Sequence, residues 1–340
     1  MSIFPESQAR PPSLVIDYAV ETKRIEQFLV QTTVRELNRR GIVVGVSGGI
    51  DSAVCVTLAA RAFGAERVLA ILMPEREGSD DAMGRAERLC RQIGVSFLVE
   101  PIGPSLEALG CYRRRDAAIR KVLPAYGAGW RHKIVTQRAV DGRLPVFHLV
   151  AESPQGVRSD LRMPHELYLE VVAATNFKQR VRKMIECYHA ERLNYAVLGT
   201  PNRLEYELGF FVRGGDGLAD LKPIAHLYKT QVYELAAHLG VPAEIRAQAP
   251  STDTYGLPQT QEEFYFALPY AQADVLLDAM NRGVSDATVA PALGLDEAAV
   301  ARLRGDFQSK RRAAHRLARD AVRIGVPLAA TSGSIEGNAP

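Results

Sequence analysis

A doubly wound, mostly parallel α/β sheet with helices on both faces, followed by a C-terminal helical segment, is the fold class this sequence predicts. Three observations carry it. Short runs rich in β-branched residues recur at 42–46, 68–73, 97–99 and 195–198. Segments with apolar residues at helical spacing separate them, at 51–63, 80–93 and 167–190. The first run passes through Ser47-Gly48-Gly49-Ile50-Asp51-Ser52 directly into an alanine-rich helical pattern. Such alternation is what parallel strands with crossover helices require, and continuous apolar runs mark strands covered on both faces.

Taken in order, residues 1–14 read as a flexible arm. Helical spacing follows over 15–37, with Val15, Tyr18, Ala19, Ile25, Phe28 and Leu29 among its apolar positions. The 42–46 strand then meets a Ser/Gly loop. Glycines there let a backbone approach a phosphate, the serines offer hydroxyls, and the unpaired N–H groups of the following helix attract anions. The nucleotide loop GxxxxGK[ST] is absent. The stretch 103–164 breaks the rhythm; it is basic, with Arg113, Arg114, Arg115, Arg131 and Lys133. It carries an Asp141-Gly142 turn and a possible strand at 146–150. A structural excursion is the expected reading of it, and a lid over a substrate the alternative. The main domain is expected to run over 15–312 and become helical from about 262, with a closing helix and flexible tail over 313–340.

The chain has 340 residues and a net charge of +3, so nucleic-acid binding is not demanded by charge. Cys55, Cys90, Cys111 and Cys187 form no CxxC pair, which argues against zinc or a disulfide framework and fits a reducing cytoplasm. Cys55, on the helix after the loop, reads as core. No apolar run approaches the roughly 18 residues of a membrane span, so no membrane partner is expected. The segment 282–312 has a helix-turn-helix rhythm and a basic end, the one feature that raises a DNA-binding or regulatory reading.

Later motifs join the loop. NFKQRVRKM sets Asn176 and Arg180 four residues apart, on one helical face. VLGTPNRLEYELGFFVRGGDGLADLKPIAHLYKTQV follows from Val197, then APSTD from Ala249, QTQEEFYFALPY from Gln259 and SKRR from Ser309. SGGxDS resembles the pyrophosphate loop of ATP pyrophosphatases, whose fold is of the adenine-nucleotide α-hydrolase, Rossmann-like type. GT-x-N-x-x-E-x-x-x-G-[FY]-F, then GD and LxKxQ, narrows the resemblance to ammonia-dependent NAD synthetases, over about 15–102 and 170–312.

The resemblance implies the following roles. Gly45, Val46, Ser47, Gly48, Gly49, Ile50, Asp51 and Ser52 would hold ATP phosphates. Asp51 and Glu205 would bind Mg²⁺, a hard ion that prefers carboxylate oxygens. Thr200, Lys229 and Ser251 would contact ATP, with Asp51 and Lys229 at the centre of the chemistry. Arg180, Arg213, Asp220 and Lys310 would meet the dinucleotide acid. The family is usually a homodimer with that site at the subunit interface.

The implied reaction adenylates the carboxylate of deamido-NAD (nicotinic acid adenine dinucleotide), releases pyrophosphate, and lets ammonia displace AMP. No amidase-like segment precedes the motifs, so free ammonia or a separate glutaminase partner is expected. Two departures bear on substrate choice. Where the family has TKYGD this chain has VRGGD, so Arg213 replaces a lysine and Gly214 a tyrosine, and Ser309 stands for a usual histidine. An amide ligase or another AMP-forming enzyme using a different carboxylate is therefore the alternative.

Overall fold

The structure, a computed structural model, describes residues 11–78, 80–137, 146–249, 255–266 and 268–322. Three strands, β1 (Ile42–Gly45), β2 (Val68–Leu72) and β3 (Ser96–Val99), precede an inserted trio, β4 (Arg131–Gln137), β5 (Val146–Glu152) and β6 (Arg158–Met163). A last strand, β7 (Ala196–Leu198), returns to the main sheet, whose order is β3-β2-β1-β7 with all pairs parallel. The four expected strand runs all become strands.

Period-two geometry sorts β1 between the two faces. Ile42 and Val44 pack with the helices Tyr18–Val30, Ile50–Phe63 and Lys229–His238 on one side. Val43 packs with Ala190 of the helix Phe177–Leu193 on the other. Each is fully buried, and each such side chain removes apolar surface worth roughly 1.5–3 kcal/mol. The expected helix over 167–190 becomes two, His165–Thr175 and Phe177–Leu193. Helical hydrogen bonding carries across the joint, because Asn176 N–H donates to Val172 O at 2.9 Å and Arg180 N–H to Asn176 O at 3.3 Å.

The arm expected over 1–14 ends earlier than that. Leu14, in the short helix Pro12–Leu14, is fully buried, and its carbonyl accepts Gln231 Nε2 at 3.2 Å. The helices Tyr270–Asn281, Asp286–Leu293 and Glu297–Ala318 form the C-terminal part. Val289, Leu293, Val300 and Phe307 pack there with Leu204, Leu208 and Tyr228, so the helix-turn-helix rhythm reflects core packing. No helix among the described residues is long and apolar enough to cross a membrane.

The excursion at 103–164 holds the helices Gly103–Ala108 and Cys111–Arg120 and the antiparallel sheet β4-β5-β6. One face of that sheet, Ile134, Leu149, Ala151 and Met163, is buried with Ala118, Ile119, Val171 and Tyr255. Leu257 N–H donates to His132 O at 3.1 Å and Gln259 Nε2 to Ile134 O at 2.6 Å, fastening β4 to the segment after 254. The Asp141-Gly142 turn lies outside the described residues.

His132 is buried, with Nδ1 at 2.8 Å from Tyr126 OH and Nε2 unpartnered among the described residues. Burial, then the Arg115 charge, lowers its pKa to about 3. A base held neutral in this way binds fewer protons folded than unfolded. Stability is therefore full above the unfolded value of about 6.5 and falls as pH drops from there toward 3. Exchanging His132→Asn should flatten denaturant-measured stability between pH 6.5 and 5 by about 1.4 kcal/mol per pH unit. Identical slopes in both proteins would refute the neutral buried imidazole.

Candidate active site

The order β3-β2-β1-β7 reverses direction beside β1, and ligands of open α/β sheets bind beyond the strand carboxyl ends at such a point. The Gly45–Ser52 loop leaves β1 there. Gly48 has φ +82°, and a Cβ on it would stand 2.1 Å from Ala82 O, so only glycine fits this turn. Ser52 Oγ donates to Gly49 O at 3.0 Å and accepts Ser47 N–H at 3.3 Å, which pins the loop over the helix Ile50–Phe63.

Asp51 sits in the first turn of that helix and joins two elements distant in sequence. Its Oδ2 pairs with Lys229 Nζ, and its Oδ1 accepts Asn202 Nδ2 at 3.1 Å. Lys229 is fully buried at the N-terminus of the helix Lys229–His238. Burial pulls its pKa down, but Asp51 and then Glu205 push harder the other way, so the balance is upward and the ammonium is kept. Asp274 accepts the N–H groups of Lys229 at 3.2 Å and Thr230 at 2.8 Å, capping that helix. Burial raises the pKa of Asp274 to about 7.

Glu205 reaches the same point from the helix Arg203–Leu208, whose capping box it shares with Asn202. Asn202 N–H donates to Glu205 Oε2 at 3.1 Å, and Glu205 N–H to Asn202 Oδ1 at 3.2 Å. Burial first, and the nearby Asp51 charge second, push the Glu205 carboxyl up to about 8. A buried carboxyl whose ionisation is opposed by a second carboxylate beside it suits a hard divalent cation, which would relieve that repulsion. The same two charges, with burial ahead of them, hold the Cys55 thiol protonated beneath the loop.

One cavity of about 1290 Å³ collects the loop, Asp51, Glu205, Thr200, Arg180, Arg213 and Lys310. Arg180 Nε donates to Arg213 O at 3.3 Å, and Lys310 Nζ to Asp306 Oδ2 at 2.8 Å. Lys229 lies behind the wall, beneath Asp51. Asp220, which is exposed, is not part of this lining. Its Oδ2 accepts Val197 N–H at 2.8 Å, bracing the open edge of β7. Ser251 lies outside the described residues.

The NAD synthase family model matches residues 21–122 and 156–317. The chain belongs to the NAD synthase family. An NH3-dependent NAD+ synthetase of Rhizobium meliloti is 53% identical over 302 residues, 88% of this chain and 90% of that protein. One from Thermotoga maritima is 37% identical over 261 residues, 76% of this chain and 86% of that protein. In fold, the chain resembles the solved NMN synthetase of Francisella tularensis with a TM-score of 0.63 at 22% identity, over 91% of this chain and 99% of that one. The interval between the two matched stretches of the NAD synthase model, 123–155, holds β4 and β5 and is narrower than the excursion expected at 103–164.

Two polar groups of the site were missed in sequence. Asn202 has a local signal, the N-x-x-E capping pattern inside TPNRLE. Asp274 has none: it stands mid-helix in YAQADVLLD, and only the tertiary fold carries it to the Lys229 helix.

Proposed function

We propose that this chain is an ammonia-dependent ligase that adenylates the carboxylate of deamido-NAD and then aminates it to NAD. The observation that carries the reading is the convergence of Asp51, Lys229 and Glu205, from three separate elements, beneath a glycine-rich loop at the sheet's switch point. A carboxylate does not react with ammonia, because oxide is too poor a leaving group. Attack of the acid on the α-phosphorus of ATP forms the acyl-adenylate and expels pyrophosphate. Ammonia, free or from a separate glutaminase, then displaces AMP.

In this reading the loop amides and the N-terminus of the helix Ile50–Phe63 hold the phosphates. Lys229 carries a preorganised positive charge in a dry setting, where it acts most strongly on developing negative charge. Thr200 and Ser251 complete the ATP contacts. Mg²⁺ held by Asp51 and Glu205 would neutralise the departing pyrophosphate. Arg180, Arg213 and Lys310 take the anionic dinucleotide. The free cysteines support a reducing cytoplasm. Exposed Met184 and Tyr188, on the helix that bears Arg180, support a homodimer whose interface borders the dinucleotide site.

The test is to supply ATP, Mg²⁺, ammonium and nicotinic acid adenine dinucleotide and identify products by mass. NAD, AMP and pyrophosphate in equal amounts are expected. ADP and orthophosphate would overturn the reaction class. One observation favours a second reading, an amide ligase for another acid: Gly214 has φ +72° and open space where a side chain would stand. A tyrosine rarely adopts that backbone, so the substrate side differs in shape here. A panel of other carboxylic acids in the same assay decides between the two.

A further inference from the structure

We propose that Phe147 and Tyr168 form the stacking platform for a planar base of the dinucleotide acid, supplied in part by the inserted sheet. The inference rests on the ligase reading above. Phe147 lies on β5, in the interval 123–155 that the family model does not match, and Tyr168 on the helix His165–Thr175. Their rings are parallel, with centroids 3.7 Å apart and planes 11° from each other.

Both rings line the large cavity, and both are only half-buried, whereas Ile134 and Leu149 of the same sheet are sealed in its core. A parallel ring pair open to a cavity offers its outer surface to a further flat ring. The same cavity carries Phe210, Phe264 and Tyr265 together with Arg180, Arg213 and Lys310. Flat rings beside cations suit a ligand built of planar bases joined by phosphates. The volume of about 1290 Å³ also exceeds the roughly 300–1,000 Å³ of single-ligand pockets, so a second nucleotide has room beside ATP. The β4–Leu257 and β4–Gln259 hydrogen bonds hold the inserted sheet in place, which makes this wall a fixed part of the site.

Steady-state kinetics on Phe147→Leu and Tyr168→Leu test the assignment. Leucine keeps apolar bulk and removes only the ring. KM for nicotinic acid adenine dinucleotide should rise about tenfold or more in each, while KM for ATP stays within about twofold and the unfolding midpoint is kept. Phe147→Tyr and Tyr168→Phe, which keep the rings, should restore the wild-type KM. Unchanged KM for the dinucleotide in both leucine variants would overturn the platform, as would a rise confined to ATP. A wild-type protein that does not amidate the dinucleotide would instead sink the ligase reading itself, so the two failures are distinguishable.

Discussion

Glu205→Gln should lower AMP formation by about 10²–10³-fold at saturating ATP and leave the fold intact. Glutamine retains an oxygen for the Asn202 N–H, and the backbone N–H of residue 205 still donates to Asn202 Oδ1, so the capping box is kept. The exchange removes the charge that would face the metal. Because the wild-type carboxyl is pushed up to about 8 by burial and by Asp51, the neutral variant gives up no ion pair and relieves a repulsion. Equal or slightly higher stability with collapsed turnover is therefore expected.

Asp51→Asn should be equally inactive but also unstable. It strips the partner from Lys229, which is fully buried, and an uncompensated buried charge typically costs about 3–5 kcal/mol. Turnover assays and urea unfolding of both variants check this contrast. Near-normal turnover in either, at saturating Mg²⁺, would remove the carboxylate pair from the chemistry.

That contrast also marks what was legible in sequence. The loop, the strand runs and the parallel class could be read because they are local: β-branched runs, a Ser/Gly turn and helical spacing lie within a few residues of each other. Asp51, Glu205 and Lys229 could be picked out individually from their motifs. Their mutual burial could not, since 178 positions separate Asp51 from Lys229 and only the folded sheet brings them together. The family resemblance names Asp220 as a substrate contact but says nothing about which backbone group its side chain meets. In the structure its Oδ2 accepts the backbone N–H of Val197, which the edge strand β7 turns away from β1. The inserted sheet was half legible. Its strand at 146–150 had a pattern, but whether a basic excursion turns into the cavity or out to water depends on packing against Tyr255 and Val171.

A second cluster of buried charge, beside the same cavity, is expected to produce the other large effect. Lys178, almost wholly buried, donates to Glu75 Oε1 at 2.8 Å and Glu77 Oε2 at 2.6 Å. Arg115 donates to Glu77 at 2.6 Å, and Tyr112 OH to Glu75 at 2.7 Å. Burial would raise the Glu77 pKa, but Lys178 and Arg115 outweigh it and hold the carboxyl at about 2. A depressed carboxyl contributes stability that is full above its unfolded value of about 4.5 and is lost as pH falls toward 2. Lys178→Met takes the ammonium partner from Glu75, whose side chain is fully buried and is then left with the Tyr112 hydroxyl.

The variant should lose about 3–5 kcal/mol at pH 7. Its deficit should shrink as pH is lowered toward 5, because protonation now relieves the stranded carboxylate. Adding Glu75→Gln should recover most of the loss at pH 7, since pairing a neutral amide with methionine removes the orphan charge. Urea unfolding of wild type, single and double variants at pH 7 and 5 gives the comparison. A pH-independent deficit, or no recovery in the double variant, would mean that Lys178 acts through packing of its stem and that its charge contributes little.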